Sequence, residues 1–169
     1  LIADAEPNLR VAVPLANTSG EKCTTIDGLV DGTAFVRLLR YLPGGTLLES
    51  GYLTPAAVAG LGEVAGRVSR ALKDFTHPGL DRILQWDLRF GMDVVDELSS
   101  HVSDPELRAR LETSARAAWS RIAPLDDVLP RQAAHIDLTD ANVVVSRDAG
   151  GPRPDGIIDF GDLSHTWAV

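Results

Sequence analysis

The alternation of apolar and polar positions divides this chain into a strand-rich start, a helical middle and a short-stranded end. Leu9 to Pro14 alternates apolar with small or polar residues, which predicts a strand. Asn17 to Lys22 is turn-like, with Ser19-Gly20 at its centre. Thr24 to Val30 is β-branched with interruptions and predicts a second strand. Asp31-Gly32 is a two-residue hairpin signal, because both central positions of a type I′ turn need positive φ. Ala34 to Leu42 predicts a third strand, ended by Pro43-Gly44-Gly45. The simplest assembly is a three-stranded antiparallel meander that needs a partner over one face.

Helical spacing then takes over. Thr54-Pro55 opens a helix with Thr as N-cap and Pro at the first helical position. Val58, Leu61, Ala65, Val68 and Leu72 recur on one face through Lys73. His77-Pro78-Gly79 breaks the chain. Leu84 to Leu98 predicts a second helix burying Trp86, Phe90, Val94 and Leu98. Asp104-Pro105 opens a third, Glu106 to Ile122, with Leu107, Leu111, Ala115, Ala118 and Ile122 inward. Pro124 and Pro130 bracket a loop.

The end of the chain carries the chemistry. Ala134 to Asp137 is extended, Val143-Val144-Val145 is a short β-branched strand, and Ala149 to Pro152 is a turn. Gly156-Ile157-Ile158-Asp159 is a second short strand. A hairpin of this form is expected to bring the loop holding Asp137 and Asn142 beside Asp159. Phosphoryl transfer needs positioning and charge neutralisation more than covalent help. Asp137 is placed to take a hydroxyl proton. Asn142 and Asp159 offer the amide and carboxylate oxygens that suit Mg²⁺, which keeps waters and phosphates as its other ligands. His135 reads as structural, and Asp140 as loop-stabilising. Asp162 reads equally as support for a metal or the loop, or as a cap.

Composition narrows the partners. The 169 residues are enough for one domain with a real core, at 44% hydrophobic and 24% charged. A net charge of −8 argues against non-specific nucleic-acid or anionic-membrane binding, which demand clustered Lys and Arg. It leaves room for an anionic substrate held by metal ions. The single cysteine, Cys23, excludes an internal disulfide and fits a reducing, cytoplasmic setting. No apolar run approaches the roughly 18 to 20 residues of a membrane span, and the N-terminus is not a signal peptide. The chain begins without Met and stops at Thr166-Trp167-Ala168-Val169, inside an apolar segment, so a piece of a longer polypeptide is expected.

His135-x-Asp137 with Asn142, followed by Ile158-Asp159-Phe160-Gly161-Asp162, resembles the aminoglycoside phosphotransferase and choline-kinase-like family of small-molecule kinases. The string from Gly156 to Val169, and Trp86-Asp87-Leu88-Arg89, are most similar to its hydroxylysine-kinase-like branch, a domain sometimes fused to a class III, pyridoxal-phosphate aminotransferase. The resemblance implies an α+β, protein-kinase-like fold, mainly the helical C-terminal lobe. Residues 1–43 would be the remnant of the antiparallel N-lobe sheet and hinge, and 44–169 a partial C-lobe. It implies ATP and Mg²⁺ as cofactors and a small-molecule acceptor, with ATP against GTP left open. Val36 to Gly44 would be the hinge strand, where Arg40 and Leu42 present backbone groups to adenine and Leu39 sits at the back of the pocket.

The chain departs from the family pattern in two ways. Ile136 stands where the family usually has Gly. No Gly-rich phosphate loop is present, and the only lysines, Lys22 and Lys73, lie in a turn and near a helix end. The chain alone is therefore expected to be catalytically incompetent or nearly so. Two rivals remain: a two-metal phosphohydrolase using Asp137, Asp140, Asp159 and Asp162, and a non-catalytic kinase-like module of a larger aminotransferase polypeptide. Trp86 and Asp87 would suit an amine as an aromatic wall plus a carboxylate. The plainer expectation is that Trp86 is buried and Asp87 faces water.

Overall fold

A computed structural model describes residues 1–30, 32–148 and 151–168. In chain order the elements are α1 (Ile2–Ala5), β1 (Arg10–Val11), β2 (Pro14–Leu15), β3 (Thr24–Val30), β4 (Gly32–Val36), β5 (Leu38–Leu39) and α2 (Pro55–Leu72). They continue with α3 (Gly91–Leu98), α4 (Pro105–Ile122), β6 (Arg131–Ala134), β7 (Val143–Asp148), β8 (Gly151–Ile157) and β9 (Ser164–Trp167). They form two compact units. The first is Leu1–Ala71 with Leu138–Asp159; the second is Leu72–Asp137 with the stretch from Phe160 onward. No helix among the described residues is long and apolar enough to cross a membrane.

The first unit is built on the β7–β8 hairpin. Val143 pairs with Ile157 and Val144 with Gly156 in antiparallel register. On the other edge of β8, β1 runs parallel, with Arg10 opposite Gly156 and Val11 opposite Ile157. The Arg10 guanidinium fixes this pairing by binding the Asp155 carboxylate and donating to the Pro43 carbonyl at 2.6 Å. Leu47, Ala57, Val143 and Val145 form a buried core, with Leu53, Leu61 and Leu138 against it. Each fully buried Val or Leu there contributes about 1.5–3 kcal/mol. Gly44 is required where it stands. It has φ +121°, and a Cβ there would lie 2.0 Å from the Val145 carbonyl oxygen.

Helix α2 starts where its signals place it, and the Thr54 hydroxyl accepts from the Ala57 N–H at 3.1 Å. Its buried residues are Ala57, Val64, Val68 and Leu72, with Leu61 half-buried. Val58, expected inward, is 52% exposed; Ala57 and Val64 are buried in place of Val58 and Ala65, while Val68 and Leu72 are buried as expected.

The expected meander is not formed. β3 and β4 make a hairpin and β2 pairs with β5, while β1 leaves for β8. Pro14 explains the division of the first strand, since it lacks an N–H and the Val13 N–H folds back to the Val11 carbonyl at 2.8 Å. Asp31 of the expected hairpin turn, and Ala149 and Gly150 of the later one, lie outside the described residues.

The second unit holds α3, α4 and the antiparallel β6–β9 ladder, in which Ala134 faces Ser164 and Arg131 faces Trp167. Trp167 stacks on Trp119 with centroids 6.3 Å apart and donates from Nε1 to Asp126 at 2.8 Å. Helix α4 is capped as expected, with the Asp104 carboxylate accepting from the Glu106 and Leu107 N–H groups. Leu107 and Leu111, expected inward, stay exposed on α4. The predicted helix from Leu84 is shorter than its apolar periodicity. Asp87 caps a 3₁₀ turn over Leu88–Phe90 by accepting the Arg89 N–H, and the α-helix begins at Gly91.

Candidate active site

Strand β6 delivers the first candidate residues in the second unit. His135 follows its last residue and is buried. Its ring packs against Phe160, centroids 4.9 Å apart and tilted by 59°. Ile136 then takes φ +67°, and the Asp137 N–H donates back to the His135 carbonyl at 2.9 Å. The tight turn presents Asp137 half-buried just beyond the strand.

A β-branched residue at positive φ is uncommon and strained. Glycine bears no such penalty. Ile136→Gly is therefore expected to be more stable than Ile136→Ala by about 1 kcal/mol, because alanine keeps the left-handed cost that glycine removes. Urea denaturation of both variants checks this. Equal stabilities would mean that the turn relaxes out of the left-handed region.

Asn142 and Asp159 belong to the first unit and are brought together by β7–β8. Asn142 precedes β7 and Asp159 lies two residues beyond the end of β8. The ladder continues past its named ends, since the Ile158 N–H donates to the Asn142 carbonyl at 3.0 Å. Asn142 is thus set opposite the residue next to Asp159. Its own N–H turns back to the Thr139 carbonyl at 3.1 Å, and the residue is buried. Asp159 is exposed with φ +59°, a conformation Asp tolerates better than most residues. An amide and a carboxylate are among the oxygen donor types that a cation such as Mg²⁺ takes alongside water and phosphate.

Among the described residues, no three His, Cys, Asp or Glu side chains group to hold a metal. Asp162 sits in the 3₁₀ turn Phe160–Asp162 and accepts from Arg82 at 3.3 Å.

The hinge-like segment lies in the first unit. Leu39 pairs with Pro14 in the β2–β5 ladder, and the Arg40 N–H donates to the Val13 carbonyl at 2.9 Å. The Arg40 carbonyl and the Leu42 N–H enter no backbone bond among the described residues. Leu42 is buried, whereas Leu39 is 40% exposed.

Trp86 and Asp87 are placed opposite to expectation. Trp86 is 49% exposed and Asp87 only 2%. The Asp87 carboxylate is bound by Arg89 Nη2 at 2.6 Å and by the Thr166 hydroxyl at 2.9 Å. Burial acts to raise its pKa, but hydrogen bonds from Arg89 and Thr166 and the Arg89 charge outweigh that and hold it below the ordinary carboxylate value. With its carboxylate committed inward, Asp87 forms no amine-binding wall with Trp86. Sequence reasoning also missed β9 and Arg82. The only local hint for the ion pair was an Asp two residues before an Arg, a common arrangement.

Comparison with known proteins gives a consistent likeness. The model of a family described as "Phosphotransferase enzyme family" matches residues 1–169. Hydroxylysine kinase of Mus musculus is 25% identical over 168 residues, which cover 92% of this chain and 44% of that protein. A microcompartment-associated aminopropanol kinase superposes with a TM-score of 0.70 at 20% identity, covering 98% of this chain and 52% of its own. Amicoumacin kinase, solved with AMP-PNP, Ca²⁺ and Ami, superposes with a TM-score of 0.61 at 18% identity, over 96% of this chain and 46% of its own. The fold is α+β and kinase-like. The chain spans about half the length of these relatives.

Proposed function

The chain belongs to the phosphotransferase enzyme family, and from that premise we propose that it carries the acceptor-activating and cation-binding residues of an ATP- and Mg²⁺-dependent small-molecule kinase. The register that sets Asn142 beside Asp159 carries this reading. Asn142 and Asp159 hold the cation, which when bound neutralises charge on the transferring phosphoryl group. Asp137 orients the acceptor hydroxyl and takes its proton as the oxygen attacks the γ-phosphorus and ADP departs. The Arg40 carbonyl and the Leu42 N–H would present backbone groups to adenine, with Leu39 at the back of the pocket. A hydroxyl on an amine-bearing metabolite is the acceptor class, in keeping with relatives named for hydroxylysine and aminopropanol. A cytoplasmic location suits both cofactors and the exposed free thiol of Cys23.

The grip on the nucleotide phosphates is not assigned to this chain. Lys22 and Lys73 are both exposed, and neither lies in an apolar strand. A second reading, a non-catalytic kinase-like module that accompanies a larger aminotransferase polypeptide, is favoured only if the full-length protein lacks that grip as well. Pyridoxal phosphate would then belong to that other domain.

The two readings separate by assay. A polypeptide of the relatives' full length containing this chain is expected to release ADP only with Mg²⁺ and an amino alcohol, leaving a phosphate ester. The 169-residue chain alone is expected to give no turnover above background. Release of inorganic phosphate without an ester would instead identify a hydrolase. Silence of the full-length protein with every acceptor would favour the non-catalytic module. Robust turnover by the short chain would overturn the claim that the phosphate grip lies elsewhere.

A further inference from the structure

Residues 10–13 hold the hinge-like segment at both of its ends. The Val13 carbonyl accepts the Arg40 N–H at 2.9 Å. Arg10 Nη1 donates to the Pro43 carbonyl at 2.6 Å. The Arg40 carbonyl and the N–H of the buried Leu42 lie between these two anchors.

The same guanidinium holds the hairpin that carries Asn142 and Asp159. Arg10 Nε donates to Asp155 Oδ1 at 3.1 Å, and Nη2 binds the same oxygen. Asp155 lies on β8, which leads directly toward Asp159. Gly156, opposite Arg10 in the parallel ladder, suits this crossing, because a Cβ there would lie 3.4 Å from the Arg10 Cβ. On the far edge of the hairpin, Thr46 bridges Val144, and the Val145 N–H donates to the Gly45 carbonyl at 3.1 Å. The chain leaving the hinge therefore runs along β7, while Arg10 reaches it from β1. All of these residues belong to the first unit. The Arg10 and Asp155 side chains are 30% and 17% exposed, so the pair is partly shielded from solvent. An ion pair that only fastened β1 to β8 would need no contact with Pro43. Here one side chain joins three segments far apart in sequence.

We propose that Arg10 is a positioning residue that couples adenine binding to cation binding. It holds the hinge at a set spacing from the hairpin of Asn142 and Asp159. A nucleotide with its adenine on the hinge and its phosphates on the cation must reach both. Such a ligand gains from a preset spacing, whereas a ligand that touches the hinge alone does not. This inference rests on the proposed adenine and cation sites. Coupling between two sites on one protein typically amounts to about 5- to 150-fold in affinity, which sets the expected size of the effect.

The test is calorimetric titration of a polypeptide of full family length that contains this chain. The probes are adenosine, AMP-PNP in EDTA, and AMP-PNP with saturating Mg²⁺. In the wild type, Mg²⁺ is expected to tighten AMP-PNP binding. Arg10→Ala should weaken Mg²⁺–AMP-PNP about 5- to 150-fold and adenosine by less than about fivefold. Arg10→Lys, which keeps the charge and a donor, should recover part of the loss. Asp155→Asn, which leaves the Pro43 bond in place, should lose part of the Mg²⁺-dependent gain. Circular dichroism of Arg10→Lys and Asp155→Asn guards against reading a folding failure as a binding defect. If Mg²⁺ adds nothing to AMP-PNP affinity in the wild type, the cation site itself is wrong and the inference falls with it. If the wild type gains from Mg²⁺ and Arg10→Ala gains equally, the site stands and the coupling role is refuted. If adenosine weakens as much as Mg²⁺–AMP-PNP in Arg10→Ala, the arginine shapes the hinge alone and the coupling is again refuted. If Asp155→Asn keeps the whole gain that Arg10→Ala loses, the tie to the hairpin fails.

Discussion

Asp137→Asn is expected to lower kcat by about 10²- to 10⁴-fold, the range general-base removal spans, in a polypeptide of full family length that contains this chain. Asparagine keeps the size of the side chain and its hydrogen-bond acceptor, so the acceptor hydroxyl can still be oriented. What it loses is the capacity to take the proton. Phosphoryl transfer passes through a loose transition state in which the nucleophile is only partly bonded, so proton removal comes late. That places the effect toward the lower end of the range. Acceptor KM should stay within a few-fold, since a group that acts only in the transition state leaves ground-state binding alone. Asp159→Asn should behave differently. Its loss should raise the Mg²⁺ concentration needed for half-maximal rate, and excess Mg²⁺ should restore part of the activity, whereas no Mg²⁺ concentration should rescue Asp137→Asn. Steady-state kinetics at several Mg²⁺ concentrations separates the two roles. A loss below tenfold in Asp137→Asn would mean that the proton goes elsewhere.

What the sequence made legible was local. Thr54-Pro55 and Asp104-Pro105 each join a capping side chain to a proline that fits only the first turn, and both helices begin there. Asn142 and Asp159 were legible for a similar reason. The apolar ends of the two strands, Val143-Val144 and Gly156-Ile157, pair in antiparallel register, which sets Asn142 opposite Ile158, the residue before Asp159. The largest failures are non-local. The parallel pairing of β1 with β8 joins residues 145 apart, through Arg10 and Asp155, and nothing near Arg10 announces it. β9 has no clean alternation, yet it pairs with β6 and carries the Thr166 hydroxyl to Asp87. The Trp86, Phe90, Val94 and Leu98 stripe is a sound helical pattern. It was overridden because a buried carboxylate with two partners fixed the Asp87 backbone in a turn. The family resemblance was readable because the residues that carry it cluster in 28 positions of sequence, 135 to 162. Arg82 was not, because it reaches that cluster from 79 residues away.

The most destabilising polar substitution is expected at Asp87. Removing one partner of a buried ion pair costs about 3–5 kcal/mol, because the remaining charge is left without compensation. In Asp87→Ala the stranded group is the Arg89 guanidinium, whose side chain is only 16% exposed. The Thr166 hydroxyl loses its acceptor and the Leu88–Phe90 turn loses its cap at the same time. Replacing the pair together, as Asp87→Leu with Arg89→Met, should cost far less, since no charge remains to be buried. The stability of Asp87 also depends on pH with a definite sign. Its folded-state pKa lies below the unfolded value, so its contribution is complete above the unfolded carboxylate pKa of about 4. It is lost as pH falls through the folded value. Asp87→Asn should therefore be much less stable than the wild type near neutral pH, with the gap closing progressively below about pH 4. Urea unfolding followed by tryptophan fluorescence suits the measurement, because Trp167 neighbours Thr166 on β9 and stacks on Trp119. A gap between wild type and Asp87→Asn that stayed constant from pH 7 to pH 3 would mean that the carboxylate charge contributes nothing to holding β9. The loss in Asp87→Ala would then come from packing and the cap alone.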